Sequence, residues 1–277
     1  MDEKHLVERI SLLYGEIDWS HAIGLLHVTA IAERGEAVLA IGPDAPSSAT
    51  DRFVLGFARA RADLILTTGA ILRSEPALRH DYAEDEEMQA SFRAWRRNLS
   101  GAEESASLIV ISRSGDFDVA HPALRAAIGG MVWTSKAGRR KLGPRVGRLS
   151  VEVGISDDAK DAKDLDGEDQ VPSLGRMLRV VRSRFEARTI LLEAGPTIAR
   201  EFYRTSEAGG PRVEELLLSR FEGELASAAL GPRFEPLSKV SRHFRGTPTS
   251  VCFEEPSGVW RFERYRDVTK VDSKIWC

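Results

Sequence analysis

The chain has 277 residues, 42% hydrophobic and 29% charged, with a net charge of −3. That balance belongs to an ordinary globular protein with room for a substantial core; it excludes a disordered or fibrous chain and a broad basic surface for nucleic acid. The apolar runs fall far short of the roughly 20 residues a spanning helix needs. Asp2, Glu3 and Glu8 stand where a leader peptide avoids acids, and Cys252 and Cys277 are too few for a disulfide framework or a zinc site. A cytoplasmic protein with a small-molecule partner, and with neither membrane nor nucleic acid, is expected.

Taken in chain order, Leu6, Val7, Ile10 and Leu13 recur at helical spacing, so residues 1–14 read as an amphipathic helix, an extension (1–24) ahead of a main domain at 25–277. A strand follows at 25–31, then a polar loop with Pro43 and Pro46. Ser48 lies three residues before Asp51 and opens a helix carrying Phe53, Val54, Leu55, Phe57 and Ala58, a pattern close to a capping box. Short apolar strands are expected at 64–68, 108–111, 131–134 and 151–153. Ser173 is placed to cap a helix with Leu174, Met177, Leu178, Val181 and Phe185 on one face. A strand at 189–193 leads to Pro196 as the first residue of another helix, and 213–219 closes the series. Residues 80–98 read as a charged, helical insertion, and 139–148 as an exposed basic connection. Residues 157–169, with seven acids, read as a solvated loop, because a calcium loop would need ligands where Ala162 and Ser173 stand. Helices alternating with buried strands imply an α/β fold with a largely parallel sheet covered on both faces.

In such sheets ligands bind beyond the carboxyl ends of the strands, where backbone amides and helix N-termini meet phosphates. Two segments meet that requirement. One is Leu64-Ile65-Leu66-Thr67-Thr68-Gly69-Ala70 with Arg73 a turn later, and the other is Leu191-Leu192-Glu193-Ala194-Gly195-Pro196-Thr197. A glycine after a strand also serves as a plain turn. No G-x-G occurs, so the Rossmann fingerprint is excluded, as are a G-K-[ST] phosphate loop, a G-x-S-x-G nucleophile elbow and an H-E-x-x-H zinc pair. The six histidines show no metal spacing.

Ser47-Ser48-Ala49-Thr50-Asp51-Arg52, followed by residues 59–73, resembles the S-x-x-D-R…R-A-x-A-D-x-x-L-x-G-A-x-T-x-R stretch of riboflavin-biosynthesis pyrimidine reductases. Glu193-Ala194-Gly195-Pro196-Thr197-Ile198, with Val213-Glu214-Glu215-Leu216 after it, resembles their E-G-G-P-T-L…V-D-E-L stretch. The resemblance covers roughly residues 25 to 265. It implies a dihydrofolate-reductase-like fold, a mixed sheet with flanking helices, in a homodimer. It also implies NADPH-dependent reduction of the ribosyl group of an aminopyrimidine phosphate to a ribityl group. By the same resemblance Gly69, Ala70, Arg73, Thr134, Ser135, Ala194, Gly195, Pro196 and Thr197 would contact the cofactor. Glu193 would lie on the catalytic side, with Ser48 and Asp51 at the substrate rim. A helix cap is the plain alternative for the last two, and Ser112, Arg113 and Ser114 are either a 2′-phosphate site or a solvated turn. The family's S-x-D-G signature falls on Ala32-Glu33-Arg34-Gly35, and its first motif glycine on Ala194. These departures leave two main readings: a reductase, in which the cofactor brings the hydride, and a non-catalytic dimeric nucleotide-binding or regulatory module of the same fold; a third, reduction of dihydrofolate or an unrelated carbonyl, has no distinctive residue behind it. The H-x-E and P-C-x-x-C deaminase signature is absent.

Overall fold

A computed structural model describes residues 2–16, 19, 23–40, 42, 44–101, 105–155, 174–203, 212–234, 237–244 and 247–266. Helix α1 (Glu3–Tyr14) starts on an Asp2 cap, and β1 (Gly24–Ala32) and β2 (Ala37–Leu39) follow. Helix α2 (Ala49–Arg61) is capped by the Ser48 hydroxyl, which accepts the Asp51 N–H at 2.8 Å. The chain continues through β3 (Leu64–Thr68), α3 (Gly69–Ser74), α4 (Glu86–Ser100), β4 (Ser107–Ile111), α5 (Pro122–Ala126), β5 (Gly130–Ser135) and α6 (Lys136–Leu142). Next come β6 (Arg145–Val146), β7 (Leu149–Ile155), α7 (Leu174–Phe185), β8 (Thr189–Leu192), α8 (Pro196–Glu201) and β9 (Glu215–Glu222). The last elements are β10 (Leu230–Arg233), α9 (Leu237–His243), β11 (Thr249–Glu255) and β12 (Gly258–Arg266). Residues 157–169, read as a solvated loop, and Ser173, read as a helix cap, lie outside the described residues.

The strands form one sheet in the order β11-β12-β9-β1-β8-β3-β4-β5-β7-β6, with β2 and β10 attached at β1. From β9 to β7 neighbours are parallel. The expectation of a largely parallel sheet therefore holds for the centre only. The margins are antiparallel: β12 against β9 and β11, β6 against β7, and β2 against β1 and β10. The physical reason is connection length. Glu255 pairs with Gly258, leaving two residues for the turn between β11 and β12, and so short a link can only return the chain antiparallel.

Alternation along the central strands divides the core in two. Leu26, Ile65, Leu108, Val110, Val132, Leu191 and Leu217 face a layer of α1, α2, α4 and α5, whose Leu6, Ile10, Phe53, Phe57, Phe92 and Trp95 are buried there. Leu25, Leu64, Leu66, Ile109, Met131, Ile190, Leu192 and Leu216 face α7, α8 and α9 through Met177, Leu178, Val181, Ala199 and Val240. The helical reading of the charged 80–98 stretch holds from Glu86 on, as α4, with its Asp85 cap and its Phe92–Trp95 face at the 3.6-residue period; residues 80–85 are not helical. The basic connection folds partly as α6, with Ser135 accepting the Gly138 N–H at 3.0 Å.

Candidate functional site

The carboxyl ends of β3 and β8 lie side by side, because Leu64 pairs with Ile190 and Leu66 with Leu192. One residue on, the Glu193 N–H donates to the Leu66 carbonyl at 2.9 Å, so the strand pairing carries Glu193 out to the sheet's rim. Arg59 in the last turn of α2 meets its carboxylate with both arms, Nε to Oε1 at 2.8 Å and an NH2 nitrogen to Oε2 at 2.7 Å. Burial alone would push the Glu193 carboxyl up; the Arg59 guanidinium outweighs it and holds the pKa below the ordinary carboxylate range. Arg59 uses its remaining nitrogen on the Asp81 carbonyl at 2.8 Å. One guanidinium thus ties a strand end to the segment after α3.

That segment is a wall of a cleft of about 610 Å³, lined among others by Ser48, Asp51, Arg52, Arg59, Glu75, Arg79, Asp81 and Trp260. The wall is fixed from behind. Gln89 accepts the Tyr82 and Ala83 N–H groups at 2.7 and 2.8 Å, and a Cβ on Gly56 would lie 1.9 Å from the Tyr82 carbonyl oxygen. Burial raises the Asp51 and Glu75 carboxyls, helped at Asp51 by Glu255 and at Glu75 by Glu193. The cleft therefore offers arginines beside carboxyls that take up protons more readily than free ones, a setting that suits a polar, anionic small molecule.

The expected contact residues fall into two sets. Ala194 and Gly195 stand half-buried beyond β8, followed by buried Pro196 and exposed Thr197. A Cβ on Gly195 would meet nothing within 4 Å, and α8 has no side-chain cap. Most of the others are engaged within the protein. Gly69 packs so closely that a Cβ would lie 2.7 Å from the Ser112 Oγ, and Arg73 donates to the Asp116 carbonyl while Ala70 is exposed beside it. The Thr134 hydroxyl donates to the Arg113 carbonyl at 3.2 Å and Ser135 caps α6. Ser48 caps α2 and donates to Glu255 at 3.0 Å, while Asp51 faces the cleft. Sequence reasoning passed over Arg59, Glu75 and His80. Arg59 sits in a stretch whose pattern was visible, yet its partner Glu193 lies 134 residues away. His80 carries no sequence signal.

The architecture is that of an open α/β sheet whose functional groups gather at the carboxyl ends of its parallel strands. No family model matches the chain, and no curated protein matches it in sequence. Solved structures do match. A pyrimidine reductase-like protein from Corynebacterium diphtheriae superposes with a TM-score of 0.61 at 19% identity, over 93% of this chain and 98% of that one. RibD from Acinetobacter baumannii superposes with a TM-score of 0.53 at 13% identity, over 87% of this chain; the match spans 57% of that longer protein. The chain has the fold of the pyrimidine reductase-like proteins.

Proposed function

We propose that the protein is an NADPH-dependent reductase of a phosphorylated ribosylaminopyrimidine, reducing its ribosyl group to a ribityl group, and that it works as a homodimer. The observation that carries this reading is the junction at Glu193: a polar cleft on one side, an open strand-to-helix turn on the other, and Arg59 joining them. The fold shared with a pyrimidine reductase-like protein supports it.

The residues present fit a dinucleotide at the β8 end. Gly195 leaves open space where a side chain would stand, and the turn ends on a helix without a side-chain cap, so Ala194, Gly195, Pro196 and Thr197 would hold the pyrophosphate, with Gly69, Ala70 and Arg73 on the neighbouring strand end. Thr134 and Ser135 would act by shaping the β5 turn. When bound, the nicotinamide supplies hydride. The chain's own part is to orient and to exclude water. Arg52 and Arg79 would receive the substrate phosphate, Asp51 would bond a ribosyl hydroxyl, and Ser48 would keep the α2 end in place. Glu193, ionised on Arg59, would anchor a hydroxyl or ring N–H next to the reacting carbon.

Calorimetric titration with NADPH and then NADH tests the reading, with micromolar binding of NADPH expected for a working site of this class. Gly195→Asp is expected to abolish that binding with an unchanged melting temperature, because it adds bulk and negative charge beside the phosphates. Equal affinity in that variant would remove the site assignment. The internal engagement of Arg73, Thr134 and Ser135 favours a second reading, a module that keeps the fold without chemistry. NADPH binding with no turnover on any pyrimidine substrate selects it.

A further inference from the structure

Around the Arg59–Glu193 pair the protein leaves hydrogen-bonding capacity unspent. The His80 side chain is only 9% exposed, and neither ring nitrogen has a partner. Its Nε2 lies 3.9 Å from Glu193 Oε2, too far for a hydrogen bond. Thr67 stands one residue beyond the Leu66–Leu192 pairing, level with Glu193 on the adjacent strand, and its buried hydroxyl is also unpartnered. Burial drives the imidazole pKa down to about 4, against the pull of Glu193, so the ring is neutral and carries one N–H to donate. An unsatisfied buried polar group is destabilising. Of these atoms, His80 Nε2 is the one that stands near the Glu193 carboxylate.

We propose that His80 is a positioning residue for Glu193: when ligand fills the junction, its Nε2–H donates to the carboxylate. The inference rests on the function proposed above. A ligand hydroxyl or amide that bonds Glu193 shares the carboxylate with Arg59, and the imidazole, about 1 Å beyond bonding distance, closes on a lone pair that neither of them uses. Being neutral, it does so without adding a second cation to the buried pair.

The test compares wild type, His80→Phe and His80→Gln by thermal unfolding and NADPH titration, with ring 15N spectra of the wild type recorded with and without NADPH. His80→Phe is expected to melt at or above the wild-type temperature, since an apolar ring removes the unsatisfied atoms, while binding NADPH about tenfold more weakly for want of one charge-assisted bond. His80→Gln, which keeps an N–H donor, is expected to restore most of the affinity, and the wild-type His80 Nε2 resonance is expected to shift on binding. Wild-type affinity in His80→Phe, or an unmoved resonance, overturns the role of His80. A melting temperature several degrees lower in His80→Phe, with the resonance unmoved, makes the ring a structural filler. Failure of the wild type to bind either nucleotide overturns the proposed function itself, which separates the two failures.

Discussion

Glu215 shows how charge is made tolerable inside this protein. The side chain is fully buried, with Arg61 at 2.6 Å and Arg264 at 3.1 Å, and each guanidinium lies over the Trp19 ring, 4.6 and 4.5 Å from its centroid. Burial would raise the carboxyl, but the two arginines overcome it and set its pKa at about 2. A folded value below the ordinary 4.5 means that the ionised form stabilises the fold at pH above 4.5, and that this contribution fades as pH falls toward 2. Glu215→Gln is therefore expected to cost about 3–5 kcal/mol at pH 7, because two arginines lose their counter-charge. It should also flatten the decline in stability between pH 5 and pH 2. Urea midpoints measured across that range check both; an equally steep acid decline in the variant would show that other carboxylates carry it.

At the scale of elements, α2 organises the site. Its start is held by Ser48 and by Glu255, which accepts the Ala49 and Thr50 N–H groups at 3.1 and 3.3 Å; its last turn presents Arg59. Between them Gly56 lets the cleft wall pass against the helix backbone. Gly56→Ala would raise helix propensity and yet is expected to destabilise by about 1–3 kcal/mol, since its methyl group displaces the Tyr82 carbonyl. The same displacement should weaken ligand binding in the cleft. Chemical unfolding together with titration of a phosphorylated ribosylaminopyrimidine would detect this, and a variant more stable than wild type would mean that the wall yields without cost.

For the whole molecule, α1 is the element to remove. Leu6, Ile10, Leu13 and Tyr14 are buried in the core shared with α2 and α4. Each such side chain contributes up to about 1.5–3 kcal/mol. A chain beginning at residue 16 is expected to melt more than about 5 °C lower and to self-associate through the apolar surface left on Phe57 and Trp95. Differential scanning calorimetry and light scattering would measure both, and an unchanged melting temperature would mark α1 as dispensable.

The amino-acid sequence by itself determined what depends on neighbours along the chain. Helical periodicity placed α1, α2 and α7. The apolar runs placed β3, β4, β5 and β8, since buried strands need no more than a few residues of Leu, Ile and Val. The Ser48 cap and the turn at Glu193-Ala194-Gly195-Pro196 were legible for the same reason. The antiparallel margin was less so. The strand β11 is an edge with its side chains largely exposed, and β2 and β10 are short, so neither burial nor length marks them in sequence. Only the tertiary structure decided which groups meet at the site. Arg59 reaches Glu193 because β3 and β8 are adjacent in the sheet although far apart in the chain. His80 is buried by a wall that Gln89 and Gly56 hold in place. Arg73 and Thr134 find partners 43 and 21 residues along the chain that no spacing rule announces. Periodicity reports a residue's own helix or strand, whereas a site is made by pairing between strands, and that pairing is set by the packing of the whole sheet.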